Sequence, residues 1–189
     1  MPSPSQLPWI KRGYQVFAYE GPLGLKVERL AKTVGKNKSS FYYHFADLEV
    51  FTEQLLTQHL AQAKIMGEKE AACQSLEELI DIVLEHRLDL LFNRQLRIHR
   101  ENPDFLACFT QVNQMTLPAF LGIWSKILDL QTHVHLAGLV LQLSMENFFL
   151  QLTDETLHRE WLMGYFHQLQ TLVWEFKKTG KVPGALERG

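Results

Sequence analysis

Four aromatic rings and a histidine fill five consecutive positions, Phe41-Tyr42-Tyr43-His44-Phe45, directly behind Lys36, Asn37, Lys38, Ser39 and Ser40. Small donors and acceptors suit base edges in a major groove. Phenol hydroxyls and longer cations suit phosphates. Two other patterns bear on chemistry. Glu155-Thr156-Leu157-His158 matches the Glu-x-x-His signature of carboxylate-bridged metal bundles, but such a site needs a second copy and two further glutamates, and one copy occurs. At a helix start a glutamate is favourable for the dipole alone. His133-Val134-His135 places two imidazoles two residues apart, where helical side chains diverge, so capping or solvent contact is expected. There is no phosphate-binding glycine loop and no nucleophile elbow. The expectation is a protein that is not an enzyme, with no catalytic residue, metal ligand or cofactor assigned.

The elements that must position this chemistry are helical. Apolar residues recur at three- and four-residue spacing and strand signals are almost absent, which predicts an all-α protein. A first helix is expected from about Trp9 to Glu20, with Pro8 at its start and Ile10, Tyr14, Phe17 and Ala18 on one face. Gly13 interrupts it, and close approach of another helix would compensate. A second, about Lys26 to Val34, buries Val27, Leu30, Ala31 and Val34 and stops at Gly35. Asn37 should cap a third from Lys38 to about His44, and Asp47 a fourth from Leu48 to roughly Met66. Phe41 and Phe45, four apart, can pin the third helix to the first two. Lys38, Ser39 and Tyr42 then face away, flanked by Tyr43 and His44.

Two short helices joined by a glycine turn make a helix-turn-helix arrangement. The span from Trp9 to Phe51 resembles the DNA-binding domain of TetR-family transcriptional regulators. The residues carrying the resemblance are Phe17-Ala18 with Gly21, Val27-Glu28-Arg29-Leu30-Ala31 with Gly35, and Ser39-Ser40-Phe41-Tyr42-Tyr43-His44-Phe45 followed by Asp47. The resemblance implies an N-terminal three-helix DNA-binding domain, residues 1–46, and a C-terminal helical ligand-binding and dimerisation domain, residues 47–189, linked by the fourth helix at about 47–66. Where the family commonly has Thr or Ser at the start of helix two and Lys after the cap of helix four, this chain has Leu25 and Leu48. Both changes remove possible phosphate contacts. Lys26 and Lys36 are candidates to replace them. The DNA-binding set is then Lys26, Lys36, Asn37, Lys38, Ser39, Ser40, Tyr42, Tyr43 and His44.

Composition agrees with a short-footprint nucleic-acid binder. The 189 residues are 46% hydrophobic and carry a net charge of −2, so no global field draws the chain to DNA or membrane. Residues 1–60, however, hold seven basic and five acidic side chains, a net of +2, leaving −4 for the remainder. Five bases and a single acid, Glu28, lie between Lys26 and Lys38. Charge alone is more often the mark of a solvated helix face. Cys73 and Cys108 have no motif spacing and are expected as free thiols. The N-terminal stretch lacks an apolar signal core, and no run reaches the roughly 18 apolar residues of a membrane span. A cytoplasmic protein with no membrane partner is expected.

Beyond the fourth helix, Gly67 to Gln74 reads as a loop. Ser75-Leu76-Glu77-Glu78 is a capping box opening a helix from Leu76 to about Asn93. Asn102 and Pro103 open the next, to about Gln114, and Pro118 another, ending near Leu130. Thr132 to Leu152 is apolar on two faces and asks for cover on both. The last helix, about Asp154 to Thr179, ends in Lys177, Lys178 and Gly180, with Trp161, Tyr165, Leu169 and Leu172 on one side. Phe148, Trp161, Tyr165, Leu169 and Leu172 are candidates for a homodimer interface. A dimer would set two recognition helices roughly 34–36 Å apart on a near-palindromic operator in double-stranded DNA. Polar residues interrupting apolar walls suggest a pocket for a small-molecule effector, with His99, Phe109, Asn113, Trp124 and Asn147 as candidate lining. The function expected is a ligand-responsive regulator, acting as a repressor. The competing readings are a helical interaction module that has lost DNA binding, and an all-α metal or cofactor enzyme.

Overall fold

A computed structural model describes residues 2–179. Among them lie nine α-helices, one 3-10 turn and no strand. The head comprises α1 (Leu7–Glu20), the turn Pro22–Gly24, α2 (Val27–Val34) and α3 (Lys38–His44). The body comprises α4 (Leu48–Ala72), α5 (Leu76–Glu85), α6 (Arg87–Ile98), α7 (Pro103–Ile127), α8 (Val134–Gln151) and α9 (Arg159–Thr179). None of these helices is long and apolar enough to cross a membrane. Gly180, expected at the end of α9, lies outside the described residues.

Local chemistry explains the starts of the helices. Asn37 Oδ1 accepts from the Ser40 N–H at 2.8 Å, and Asp47 Oδ1 from the Val50 N–H at 2.9 Å. Ser75 Oγ accepts from the Glu78 N–H at 3.2 Å, and the Glu78 carboxylate reaches back to the Gln74 N–H at 2.8 Å. Each cap satisfies donors that the first turn leaves orphaned. Gly35 sits at φ 69°, ψ 33°, the left-handed conformation that closes α2 and that a side chain disfavours.

Four boundaries differ from expectation, each for a physical reason. The helix expected from Leu76 to Asn93 breaks at His86, whose Nδ1 is held 2.8 Å from Asp89 Oδ2. The turn swings α6 across the head while the apolar period runs on unchanged. The two helices expected around Pro118 are one, α7. A proline inside a helix costs about 3 kcal/mol, and buried Val112, Ile123 and Trp124 on either side keep the halves in line. The segment from Gly67 onward is helix, not loop: Gly67 packs against α7, where an added Cβ would lie 3.5 Å from Thr116. Finally, α9 starts at Arg159 rather than Asp154, because Thr153 and Thr156 bond each other's backbone in a turn, at 2.8 and 3.1 Å. Glu155 therefore lies in that turn, so Glu155 and His158 do not share a helical turn.

One contiguous cluster of buried residues runs through head and body. Phe92 of α6 stacks on Tyr14 at 4.4 Å, Phe17 at 4.2 Å and His59 at 4.5 Å, binding α1, α4 and α6 together. Gly13 admits Phe51, since a Cβ there would come within 2.3 Å of the Phe51 ring. Here the glycine is explained by the close approach.

Candidate functional site

α3 is amphipathic over two turns. Its inner face is Phe41, fully buried, with ring centroids 5.4 Å from Trp9, 5.1 Å from Phe45 and 5.2 Å from Phe51. The pairs with Trp9 and Phe51 are edge-to-face, an arrangement that adds about 0.5–1.5 kcal/mol each beyond burial. Phe45, also buried, closes the helix with its N–H on the Phe41 carbonyl at 2.8 Å. The outer face carries Lys38, Ser39, Tyr42 and Tyr43 into solvent, with Tyr42 54% and Tyr43 85% exposed. The Tyr42 ring leans edge-on against Phe41 at 5.5 Å and still leaves half of the residue in solvent. Ser40 and His44 are half-buried at the rim, and Lys26 and Lys36 are exposed beside them.

Two of these groups are engaged. Asn37 uses its side-chain oxygen as the cap of α3. Lys38 Nζ lies 3.0 Å from Glu28 Oε1, a pair that raises the lysine pKa and lowers that of the carboxylate. Glu28 therefore stands as a competitor for any anion at Lys38. The two leucine departures also take a different meaning. Leu25 is buried and precedes the helix; the N-cap of α2 is Lys26, which faces solvent. Leu48 is half-buried against the core. Both leucines pack inward, and the exposed position at the α2 start is already a cation.

A cavity opens inside the body between α4, α6, α7, α8 and α9, leaving about 80 Å³ for the centres of water-sized molecules. One water needs only ~10–15 Å³ of such space. Its walls are mainly apolar and aromatic: Met66, Leu90, Val112, Phe120, Trp124, Phe148, Phe149, Tyr165 and Phe166. Its polar groups are His59, Glu70, Asp89, Asn93, Asn113, Thr116 and Ser144. Next to the head, Tyr14 Oη donates to Asp89 Oδ1 at 2.6 Å and lies 2.7 Å from His59 Nδ1. Burial lowers His59 to about 3 and, with the Asp89 charge and hydrogen bond, raises Tyr14 well above its ordinary value. This chain of side chains joins the head helix to the cavity wall.

The candidate lining residues divide. Asn113 and Trp124 line the cavity; His99, Phe109 and Asn147 do not. His99 lies at the seam with the head, its Nε2 2.9 Å from where a Gly21 Cβ would sit. Phe109 covers the Arg97 guanidinium at 4.5 Å, and Arg97 is paired with Glu146. Asn147 is exposed and accepts from Gln151 Nε2 at 2.6 Å. The candidate interface residues divide as well. Phe148 and Tyr165 are buried in the cavity wall, with Tyr165 Oη donating to the Ser144 carbonyl at 2.6 Å. Trp161 stacks on Tyr165 at 5.5 Å and is half-buried, as is Leu169, while Leu172 is exposed. The exposed apolar residues of α8 include Leu139, Leu143 and Leu150, the latter two 76% and 77% exposed, and α9 exposes Leu172.

His59, Glu70 and Asp89 were not singled out from sequence. A signal for the first two exists: His59, Ala63, Met66 and Glu70 follow the i, i+4, i+7, i+11 row of one helical face. Two polar residues on a row otherwise turned inward mark a wetted or liganded wall. Among the described residues, no group of three or more His, Cys, Asp or Glu is gathered as a metal would require.

No family model matches the chain, and no curated protein matches it. Among solved structures, the chain is similar to a crystal structure from Rhodococcus sp. described as a "putative TetR-family transcriptional regulator", at 15% identity over 94% of this chain and 89% of that one, with a TM-score of 0.44.

Proposed function

We propose that the protein is a ligand-responsive DNA-binding transcriptional regulator, a repressor that holds a near-palindromic operator as a homodimer. The observation that carries this reading is α3. It is a short helix whose outer face is polar and aromatic, exposed, and held rigid by Phe41 and Phe45 beneath it. Lys38, Ser39 and Ser40 meet base edges, Tyr42 meets base or phosphate, and Tyr43, His44, Lys26 and Lys36 meet phosphates. Phosphate contacts make log K fall by roughly 0.9 per log unit of salt for each phosphate neutralised. Exposed Leu139, Leu143 and Leu150 of α8 and Leu172 of α9 are the residues that a second copy covers.

The effector enters the body cavity. His59 and Asp89 stand in its wall and both hold Tyr14 of α1, so a ligand that repositions α4 moves the head with it. Such a ligand releases DNA only by binding the DNA-incompetent form more tightly. Selection of bound sequences from random duplex DNA tests the function: a two-half-site consensus is expected. Tyr42→Phe with Lys38→Ala should weaken binding to that consensus while sedimentation still shows a dimer. Recovery of no consensus would remove the regulator reading, and unchanged affinity of the double variant would remove the site.

A further inference from the structure

The cavity's polar atoms specify what kind of molecule it takes, given the reading that an effector enters there. Glu70 is 3% exposed, and its side chain makes no hydrogen bond or ion pair among the described residues. A buried carboxyl without a partner carries a desolvation penalty that a ligand can relieve. Cys108 Sγ of α7 lies 3.9 Å from the Leu56 carbonyl of α4, and Gly67 of α4 lies against Thr116 of α7. The two helices therefore run in the same direction, and Glu70 is level with the turn from Thr116 to Phe120. There the wall is aromatic: Phe120 stacks on Trp124 at 5.7 Å, and Trp124 meets Phe166 edge-on at 6.0 Å. Ring faces beside a carboxylate suit a cation with an apolar body.

The opposite end has the same polarity. Tyr14 has one hydroxyl proton and gives it to Asp89, so His59 Nδ1–H must donate to the Tyr14 oxygen. Neutral His59 then presents Nε2 as a bare lone pair, buried and unpartnered. His59 and Glu70 are about 16 Å apart along α4, so the acceptors mark both ends of the cavity. The other titratable groups of the wall are occupied: Asp89 by Tyr14 and His86, and Tyr165 by the Ser144 carbonyl. The nearby Cys73 thiol bonds the Ser75 carbonyl. Trp124 Nε1 is an unpartnered donor, which accommodates an ether or carbonyl oxygen in the body of the ligand.

We propose that the effector is a lipophilic amine, its ammonium group paired with Glu70 and its apolar body lying among Phe120, Trp124 and Phe166. Burial raises Glu70 to about 8, so the free protein holds it protonated at neutral pH. Binding therefore converts an ammonium ion and a carboxylic acid into an ammonium–carboxylate pair, with one proton released to solvent. A carboxylate ligand would meet no cation to pair with, only the neutral Glu70 acid at one end and the His59 lone pair at the other.

Calorimetry on the full chain at pH 7 tests this with three matched probes: phenylbutylamine, phenylbutanol and phenylbutyrate. Two buffers of different ionisation enthalpy count protons. The amine should bind about 10–100-fold more tightly than the alcohol, the strength of a charge-assisted hydrogen bond, with nearly one proton released per molecule. Phenylbutyrate should bind weakest. Glu70→Gln keeps the shape of the side chain; it should bind the alcohol as before while losing both the amine preference and the proton release. The proposal is overturned if alcohol or acid binds as tightly as the amine, if no proton is released, if the preference survives Glu70→Gln, or if the amine does not bind. Binding of the alcohol without preference for the amine would leave the cavity as an effector site and remove only the amine.

Discussion

Glu70 and His59 lie on one face of α4 and shift in opposite directions, which makes the pH dependence of stability a direct probe of both. Burial lowers His59 from 6.5 to about 3. Below pH 6.5 the unfolded chain takes up a proton that the folded one refuses. The contribution of His59 is thus complete above 6.5 and is lost as pH falls toward 3. Burial raises Glu70 from 4.5 to about 8. Above pH 4.5 the unfolded chain releases a proton that the folded one keeps, so the contribution of Glu70 is complete below 4.5 and is lost as pH rises toward 8. Each group alone gives a slope of about 1.4 kcal/mol per pH unit within its window. The windows overlap between 4.5 and 6.5, where the slopes cancel. These two groups therefore predict a plateau there, a fall on the acid side from His59, and a fall between 6.5 and 8 from Glu70. Glu70→Gln should abolish the alkaline fall and uncover the His59 slope from pH 6.5 downward. Urea denaturation followed by tryptophan fluorescence, at fixed protein concentration across pH 4–8, reads this as a difference between the two proteins. An unchanged slope between pH 6.5 and 8 in the variant would refute the burial of an unpartnered Glu70.

Other variants probe the remaining elements. Phe41→Ala removes a fully buried ring from the middle of the head and should cost about 3–5 kcal/mol in chemical denaturation. Tyr14→Phe leaves the His59 Nδ1–H and Asp89 Oδ1 without their shared partner, at about 1–3 kcal/mol each. Tyr19→Phe, which loses an exposed 3.3 Å bond to Asp154, should stay within about 0.5 kcal/mol in the same assay. Glu28→Gln frees Lys38 for the base edges, so affinity for the selected consensus should rise a few-fold in titrations at fixed ionic strength. Leu143→Lys with Leu150→Lys, both exposed on α8, should shift sedimentation from dimer to monomer at micromolar concentration without lowering helicity.

The head was legible because its information is local. Asn37 caps the helix that follows it, and Phe41 and Phe45 share a face by spacing alone. The body was less so, because its decisive contacts join distant parts of the chain. The break at His86 depends on Asp89, which is itself tied to Tyr14, 75 residues away. Pro118 reads as a helix start, and only packing of α7 on either side of it carries the helix through. Trp124 and Asn113 were found because they interrupt apolar runs. His59 and Glu70 were missed because α4, the helix expected to connect the head, was not read as a cavity wall. Phe148 and Tyr165 carry the same apolar signal for an interface as for a cavity wall, and within this chain their rings meet at 5.4 Å.

The ring of Phe92 has a practical consequence for dissecting the protein. Three of its neighbours, Tyr14, Phe17 and His59, come from two different helices, and two of the three belong to the head. A truncated chain starting at residue 47 would strip α1 from α6 and leave Phe92 and Phe105 facing water. Such a fragment should be sticky and poorly expressed, so cavity studies belong on the intact polypeptide.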